Sequence, residues 1–332
     1  MKKIINLVLL FSLCCTLLVG CNKISNNIDK TEGIIEKREI KISTPDGLPS
    51  IALAKLIKED IQIKEGYDIK YTIEKTPEAL STSVMKEDAD IAIVPSNMAS
   101  IAYNKTSNYQ IAGTIGMGSF YLVSTEDIKE LSDLEGMEVG NTGKGLTPDI
   151  TVQTVLKDKG VDLEKINFNY VNSANELVPL LAMGKISTGF VPEPALTGLL
   201  NKNEKMKIIK SLNDEWKDNT NSKEGYPQST IIVNTDLIKE DKEFINLFLE
   251  QIENSMKWAN NNYDEVGNYS KEIGISVEPT IISQGMKRAN LKFIPIKDMT
   301  KDYNDYYKKL FNFDVKAIGG KLPDEGIYFI SK

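Results

Sequence analysis

The residues of this chain that are equipped for chemistry stand at the breaks between apolar runs. Ser96 and Asn97 directly follow Ile91-Ala92-Ile93-Val94-Pro95. Asp46, Gly47 and Leu48 follow the alternating stretch Glu39-Ile40-Lys41-Ile42-Ser43 and a Thr44-Pro45 turn. Gly145 and Thr147 lie in the glycine-bearing loop after Met137-Glu138-Val139-Gly140, and Glu193 sits between two prolines after Gly189-Phe190-Val191. Hydroxyl, amide and carboxylate groups so placed suit hydrogen-bonded recognition of a small solute. Covalent chemistry is harder to assemble. The 332 residues include no histidine, and the three cysteines are Cys14, Cys15 and Cys21. Ser-His-Asp and Cys-His catalysis and imidazole zinc sites are therefore closed, although carboxylate pairs or a lysine remain. No cofactor or metal is expected.

Each candidate also has a structural reading. Ser96 is equally placed to be a helix N-cap. Asp46 and Glu193 suit a cationic or amine-bearing ligand, or else cap turns. Met117 and Phe120 flank Gly118-Ser119, where the chain is expected to cross between lobes. Phe120, Tyr121 and Tyr226 could stack on a flat ligand or fill an interlobe core. Lys144, between two glycines, is a possible anion contact or a solvated loop lysine. Arg38 and Arg288 are the only arginines, and neither falls near a predicted site loop. That argues against the usual bidentate clamp for carboxylates and similar planar anions.

Strands and helices must alternate to place these groups. Tyr67–Glu74, Ile91–Val94, Ile111–Ile115, Phe120–Ser124, Met137–Gly140, Phe168–Val171, Ser187–Val191 and Ser229–Asn234 read as strands. Helical patterns fall between them, from Ser50, over Thr76–Lys86, from Met98, over Thr147–Lys159 with Thr147 as cap, from Ser173 to Met183, and from Ala195. After Asn234 only helices are expected, at Glu243–Asn260, Tyr263–Ile273, Glu278–Leu291 and Lys301–Phe311. Such alternation predicts an α/β fold with mostly parallel sheets. In such sheets ligands sit beyond the carboxyl ends of strands, where free N–H groups at helix starts favour polar acceptors.

The amino terminus has its own logic. Met1-Lys2-Lys3 precedes an apolar run from Ile4 to Val19, too short for a stable membrane span and laid out as a secretory signal. Leu18-Val19-Gly20-Cys21 closes it and resembles the lipobox of bacterial lipoproteins. That resemblance implies cleavage after residue 20, lipid on Cys21, and loss of Cys14 and Cys15 with the signal. The polar stretch that follows reads as a flexible tether. A net charge of −7 without a basic run argues against nucleic acid as partner.

Four features carry a wider resemblance. They are Ile91–Asn97 with the helix after it, the Leu134–Gly140 turn and strand, Gly189–Pro194, and the helical tail. In order and spacing they resemble the solute-binding proteins of ABC importers that take up nitrate, sulfonates, taurine and thiamine-pyrimidine precursors. The likeness runs from about Lys41 to Phe311. It implies a two-lobed type II periplasmic-binding-protein fold, with a ligand cleft between lobes that closes by a hinge. The organisation expected is a signal peptide over 1–20, a tether over 21–38, lobe 1 over 39–115 with 229–332, and lobe 2 over 116–228. The resemblance further implies a small-molecule solute and a permease with its ATPase as partners. The location implied is the outer face of the cell membrane, reached through the lipid anchor and fitting a Gram-positive cell surface. An enzyme of the menaquinone- or thiamine-pyrimidine-pathway type on the same fold is the alternative.

Overall fold

A computed structural model of the chain describes residues 37–145 and 147–330. The signal segment, Cys21 and the tether to Glu36 lie outside the described residues. Arg38, read with the tether, opens the first strand. Eleven strands are present among the described residues: β1 Arg38–Pro45, β2 Tyr67–Glu74, β3 Ile91–Pro95, β4 Tyr109–Met117, β5 Phe120–Ser124, β6 Glu138–Thr142, β7 Asn167–Val171, β8 Thr188–Pro192, β9 Lys207–Ser211, β10 Pro227–Asn234 and β11 Leu291–Pro295. They form a six-stranded sheet of order β11-β4-β10-β3-β1-β2 and a five-stranded sheet of order β7-β6-β8-β5-β9.

Each sheet contains runs that burial on both faces requires to be apolar. In β3, Ile91, Ala92, Ile93 and Val94 are all buried, and β5 is buried throughout. The helices are α1 Leu48–Ala52, α2 Ala54–Lys58, α3 Pro77–Met85, α4 Ser96–Thr106, α5 Thr147–Asp158, α6 Ala174–Ala182, α7 Ala195–Lys202, α8 Leu212–Thr220, α9 Thr235–Glu240, α10 Lys242–Ala259, α11 Tyr263–Glu272, α12 Pro279–Gly285 and α13 Thr300–Phe313. In α10, Phe244, Ile245, Phe248, Ile252, Met256 and Ala259 recur at helical spacing and make its buried stripe. Thr76 caps α3 by accepting from the Ala79 N–H, and Pro77 occupies its first turn.

Several expectations are corrected. The sheets are not mostly parallel by pairing: four strand pairs are parallel and five antiparallel. The reason is that β10 returns between β3 and β4 against their direction, while β5 enters the second sheet against β8 and β9. The tail is not purely helical. The helical pattern expected to run to Leu291 stops early, Asn290 takes a φ of 50°, and β11 adds antiparallel to β4. Strand β9 and helix α8 fill a stretch in which no element was expected. The helix expected from Ser50 is two short pieces that break at Leu53.

Helix α13 ties the two sheets together. Tyr303 exchanges hydrogen bonds with Thr114 and Thr230 of the first sheet at 2.8 and 2.6 Å. Tyr306, three residues on, packs on Trp216 of α8 and stacks on Tyr226 beside the second crossing. Tyr307 donates to the Ser96 carbonyl at 2.9 Å. The result is one apolar core that reaches from Val94 of β3 to Val139 of β6.

Candidate functional site

The loops that leave the carboxyl ends of β1 and β3, and of β6 and β8, carry the residues expected to recognise a ligand. Parallel pairing of β1 with β3 and of β6 with β8 puts each pair of loops on one edge of its sheet. The two edges meet. Thr147, the first residue of α5, donates its hydroxyl to Asn97 Oδ1 of α4 at 2.5 Å, joining a loop of the second sheet to one of the first. Asn97 is held from its other side, where Nδ2 donates to the Ala317 carbonyl at 3.0 Å.

The β6–α5 loop is organised by a buried carboxylate. Asp149, in the first turn of α5, accepts from the Gly145 N–H at 2.8 Å, from Asn141 at 3.0 Å, from Gln153 at 2.7 Å and from the Tyr170 hydroxyl at 2.9 Å. Burial, with the Asp149 charge next to it, pushes the Tyr170 hydroxyl up, so it stays a donor. Gly145 has a φ of 73°, which a side chain would strain. Lys144 lies over the Tyr170 ring, 5.2 Å from its centre.

On the first sheet, Asp46 accepts from Lys75 at 2.9 Å and from the Ser276 N–H at 3.2 Å, and the Ser276 hydroxyl also reaches it. Partial burial pushes this carboxyl up, but the Ser276 and Lys75 hydrogen bonds outweigh it and hold the pKa below the ordinary 3.8. Asp46 lines a cavity of about 180 Å³ with Pro45, Lys75, Leu80, Pro95 and Met98. A larger hollow of about 430 Å³, at Asn261–Glu265 and Ser283, lies on none of the predicted loops.

Behind these loops the two crossings are stitched together. The Ser119 N–H donates to Gln228 Oε1 at 2.8 Å, and Gln228 returns a bond to the Ser119 hydroxyl at 3.0 Å. Asn290 donates to the Gly118 carbonyl at 2.5 Å. Gly118 is required by space, because a Cβ there would stand 2.3 Å from the Tyr226 ring. Beside them, Arg288 Nε donates to Glu193 at 2.6 Å, and its guanidinium donates to Thr197 at 2.6 Å. The Glu193 side chain has no exposed surface, whereas about a third of Arg288 remains open at 32%. Thr197 adds its own hydroxyl bond to Glu193 at 2.8 Å.

The predicted site residues thus divide. Asn97 and Thr147 are brought together, and Asp46 lines the cavity next to Pro95 and Met98. Gly47 makes the turn at a φ of 122°, and Gly145 is exposed on its loop. Others have structural partners. Ser96 has no exposure and shares its hydroxyl with Thr230 at 2.7 Å, so it belongs to the hydroxyl network under α13. Glu193 serves Arg288 and Thr197, not an open ligand position. Met117, Phe120 and Leu48 are core residues. Thr147 is the first residue of α5, with its hydroxyl turned to Asn97. Lys75, Ala317 and the Arg288 partner were not foreseen. Only Asp149 left a signal, as an acid in a helix first turn.

Comparison with known proteins follows the same lines. An ABC transporter structure from Parabacteroides distasonis superposes with a TM-score of 0.75 at 24% identity, covering 89% of this chain and 100% of that one. The periplasmic aliphatic sulphonate binding protein SsuA of Escherichia coli gives 0.70 at 12% identity, covering 86% and 89%. The periplasmic nitrate-binding protein NrtA of Synechocystis PCC 6803 gives 0.59 at 14% identity, covering 78% and 74%. They share the two-sheet periplasmic-binding-protein fold. No curated protein matches the sequence. The profile described as NMT1/THI5 like matches residues 63–266, well over half of the chain, and the chain therefore belongs to the NMT1/THI5-like family.

Proposed function

We propose that this chain is the solute-receiving component of an ABC-type importer, held at the outer face of the membrane by lipid on Cys21. The observation that carries the reading is the Asn97–Thr147 contact. Loops of two separately built sheets converge there, at the carboxyl ends of their strands. A small solute seated between those loops touches both lobes, so their approach is favoured in proportion to its better fit to the closed form. Relatives of the same fold named for sulphonate and nitrate support a small polar solute, delivered to a permease driven by an ATPase.

Calorimetry of the chain from Asn22 onward against nitrate, alkylsulfonates, taurine and pyrimidines tests the receptor role. One-to-one binding of any of them supports it. Silence across the panel removes it. The anchor is tested separately: labelled palmitate should enter the wild-type protein and not the Cys21→Ser variant, with solute binding intact in both. An unlipidated protein found in the cytosol points instead to an enzyme on this fold.

A further inference from the structure

Resting on the receptor reading above, we propose that Asn97 is a specificity-determining acceptor. It selects solutes that present an N–H or O–H donor over acceptor-only oxyanions. The orientation of its amide is fixed. A backbone carbonyl only accepts, so the bond to Ala317 at 3.0 Å requires Nδ2 on that side. Oδ1 is therefore the atom turned toward the second sheet, where the Thr147 hydroxyl donates to it at 2.5 Å.

The segment that sets this orientation is firmly placed. Ser100 donates to the Ile318 carbonyl at 2.9 Å, and Asn104 donates to Ile318 and Lys321 carbonyls at 2.8 and 2.7 Å. Gly319, at a φ of 86°, lets the strap lie against α4, where a Cβ would stand 3.1 Å from Ile101 Cα. The amide cannot turn over without losing Ala317.

A solute that enters between Asn97 and Thr147 must replace the Thr147 donor. Asn97 is only 7% exposed, so an acceptor-only ion would leave Oδ1 dry and unpaired. That loss weakens binding roughly tenfold to a hundredfold. The cations on these loops have other partners: Arg288 donates to Glu193 and Thr197, Lys75 to Asp46 and the Gly274 carbonyl, and Lys144 rests over Tyr170. At the start of α5, the Gly145 N–H is taken by Asp149, and Pro148 has none to offer. The first turn of α4 has no side-chain cap, so a solute acceptor is welcome there in addition to the donor.

Calorimetry on the chain from Asn22 onward, with 4-aminopyrimidine and cytosine against unsubstituted pyrimidine, nitrate and methanesulfonate, tests the inference. The amino compounds should bind at least about tenfold more tightly than pyrimidine and either anion. Asn97→Ala should erase that preference, and Thr106→Ala, at the far end of the same helix, should keep it. Anions binding as tightly as the amino compounds, or a preference that survives Asn97→Ala, would overturn the inference and leave the receptor reading standing. No binding by any probe would overturn both.

Discussion

Beside the shared core under α13, two polar seams join the sheets of this molecule, and they are built differently. At the crossings, Arg288 and Glu193 form a charge-assisted pair backed by Thr197, and Ser119 and Gln228 exchange two hydrogen bonds. At the site loops, the contact seen among the described residues is a neutral bond from Thr147 to Asn97. A charge-assisted bond around a buried carboxylate is roughly twice as strong as a neutral one and costly to break. A lone hydroxyl–amide bond is worth only about 0.5–1.5 kcal/mol net. The first seam is thus suited to persist and the second to part. A pivot needs that contrast.

Breaking the strong seam should have the largest effect. Arg288→Ala leaves Glu193 buried with its charge unpaired, and should cost about 3 kcal/mol in a urea melt, at the low end for buried pairs because Arg288 is partly open. A loss below about 1 kcal/mol would place this pair with ordinary surface contacts. Gly118→Ala drives a Cβ into the Tyr226 ring and should cost about 2 kcal/mol, with a shift in Tyr226 and Trp216 fluorescence. Thr147→Val cuts the weak seam and leaves Asn97 Oδ1 unpaired, and should cost about 1–1.5 kcal/mol, read in the same melt. If it costs as much as Arg288→Ala, the two seams are not different in kind.

The smallest effect is tied to pH. The Asp46 carboxyl is held below 3.8 by Ser276 and Lys75, so its contribution is present above the unfolded value and fades as pH falls through the lowered folded one. Asp46→Asn should lower the melting temperature by about 1–3 °C at neutral pH, and the gap should close as pH falls below about 4. A gap that widens in acid would reverse the sign of that linkage.

Much of the fold was legible because apolar runs such as Ile91–Val94 and the stripe of α10 are periodic and local. The two strands that escaped notice, β9 and β11, are short and carry lysines: Lys207 and Lys210 in one, Lys292 in the other. Burial on one side of an edge strand leaves too weak an alternation over five residues to separate from a loop or helix end. The site was legible only in part. Asn97 and Thr147 could be picked out because each stands at a strand-to-helix break. That Ser96, one residue away, turns inward depends on Tyr303 and Thr230, which are remote in sequence. The Ala317 carbonyl that orients Asn97 is a main-chain atom and leaves no mark on residue type.

On the proposed function, the Asn97 and Thr147 loops are expected to separate and close around a solute while the crossings hold. Spin labels on Glu78 of α3 and Asn175 of α6, both exposed, would report it in the otherwise cysteine-free chain from Asn22 onward. With a solute shown by calorimetry to bind, the distance distribution between the labels should narrow and shorten as the solute is added. A distribution unchanged at saturation would contradict the account.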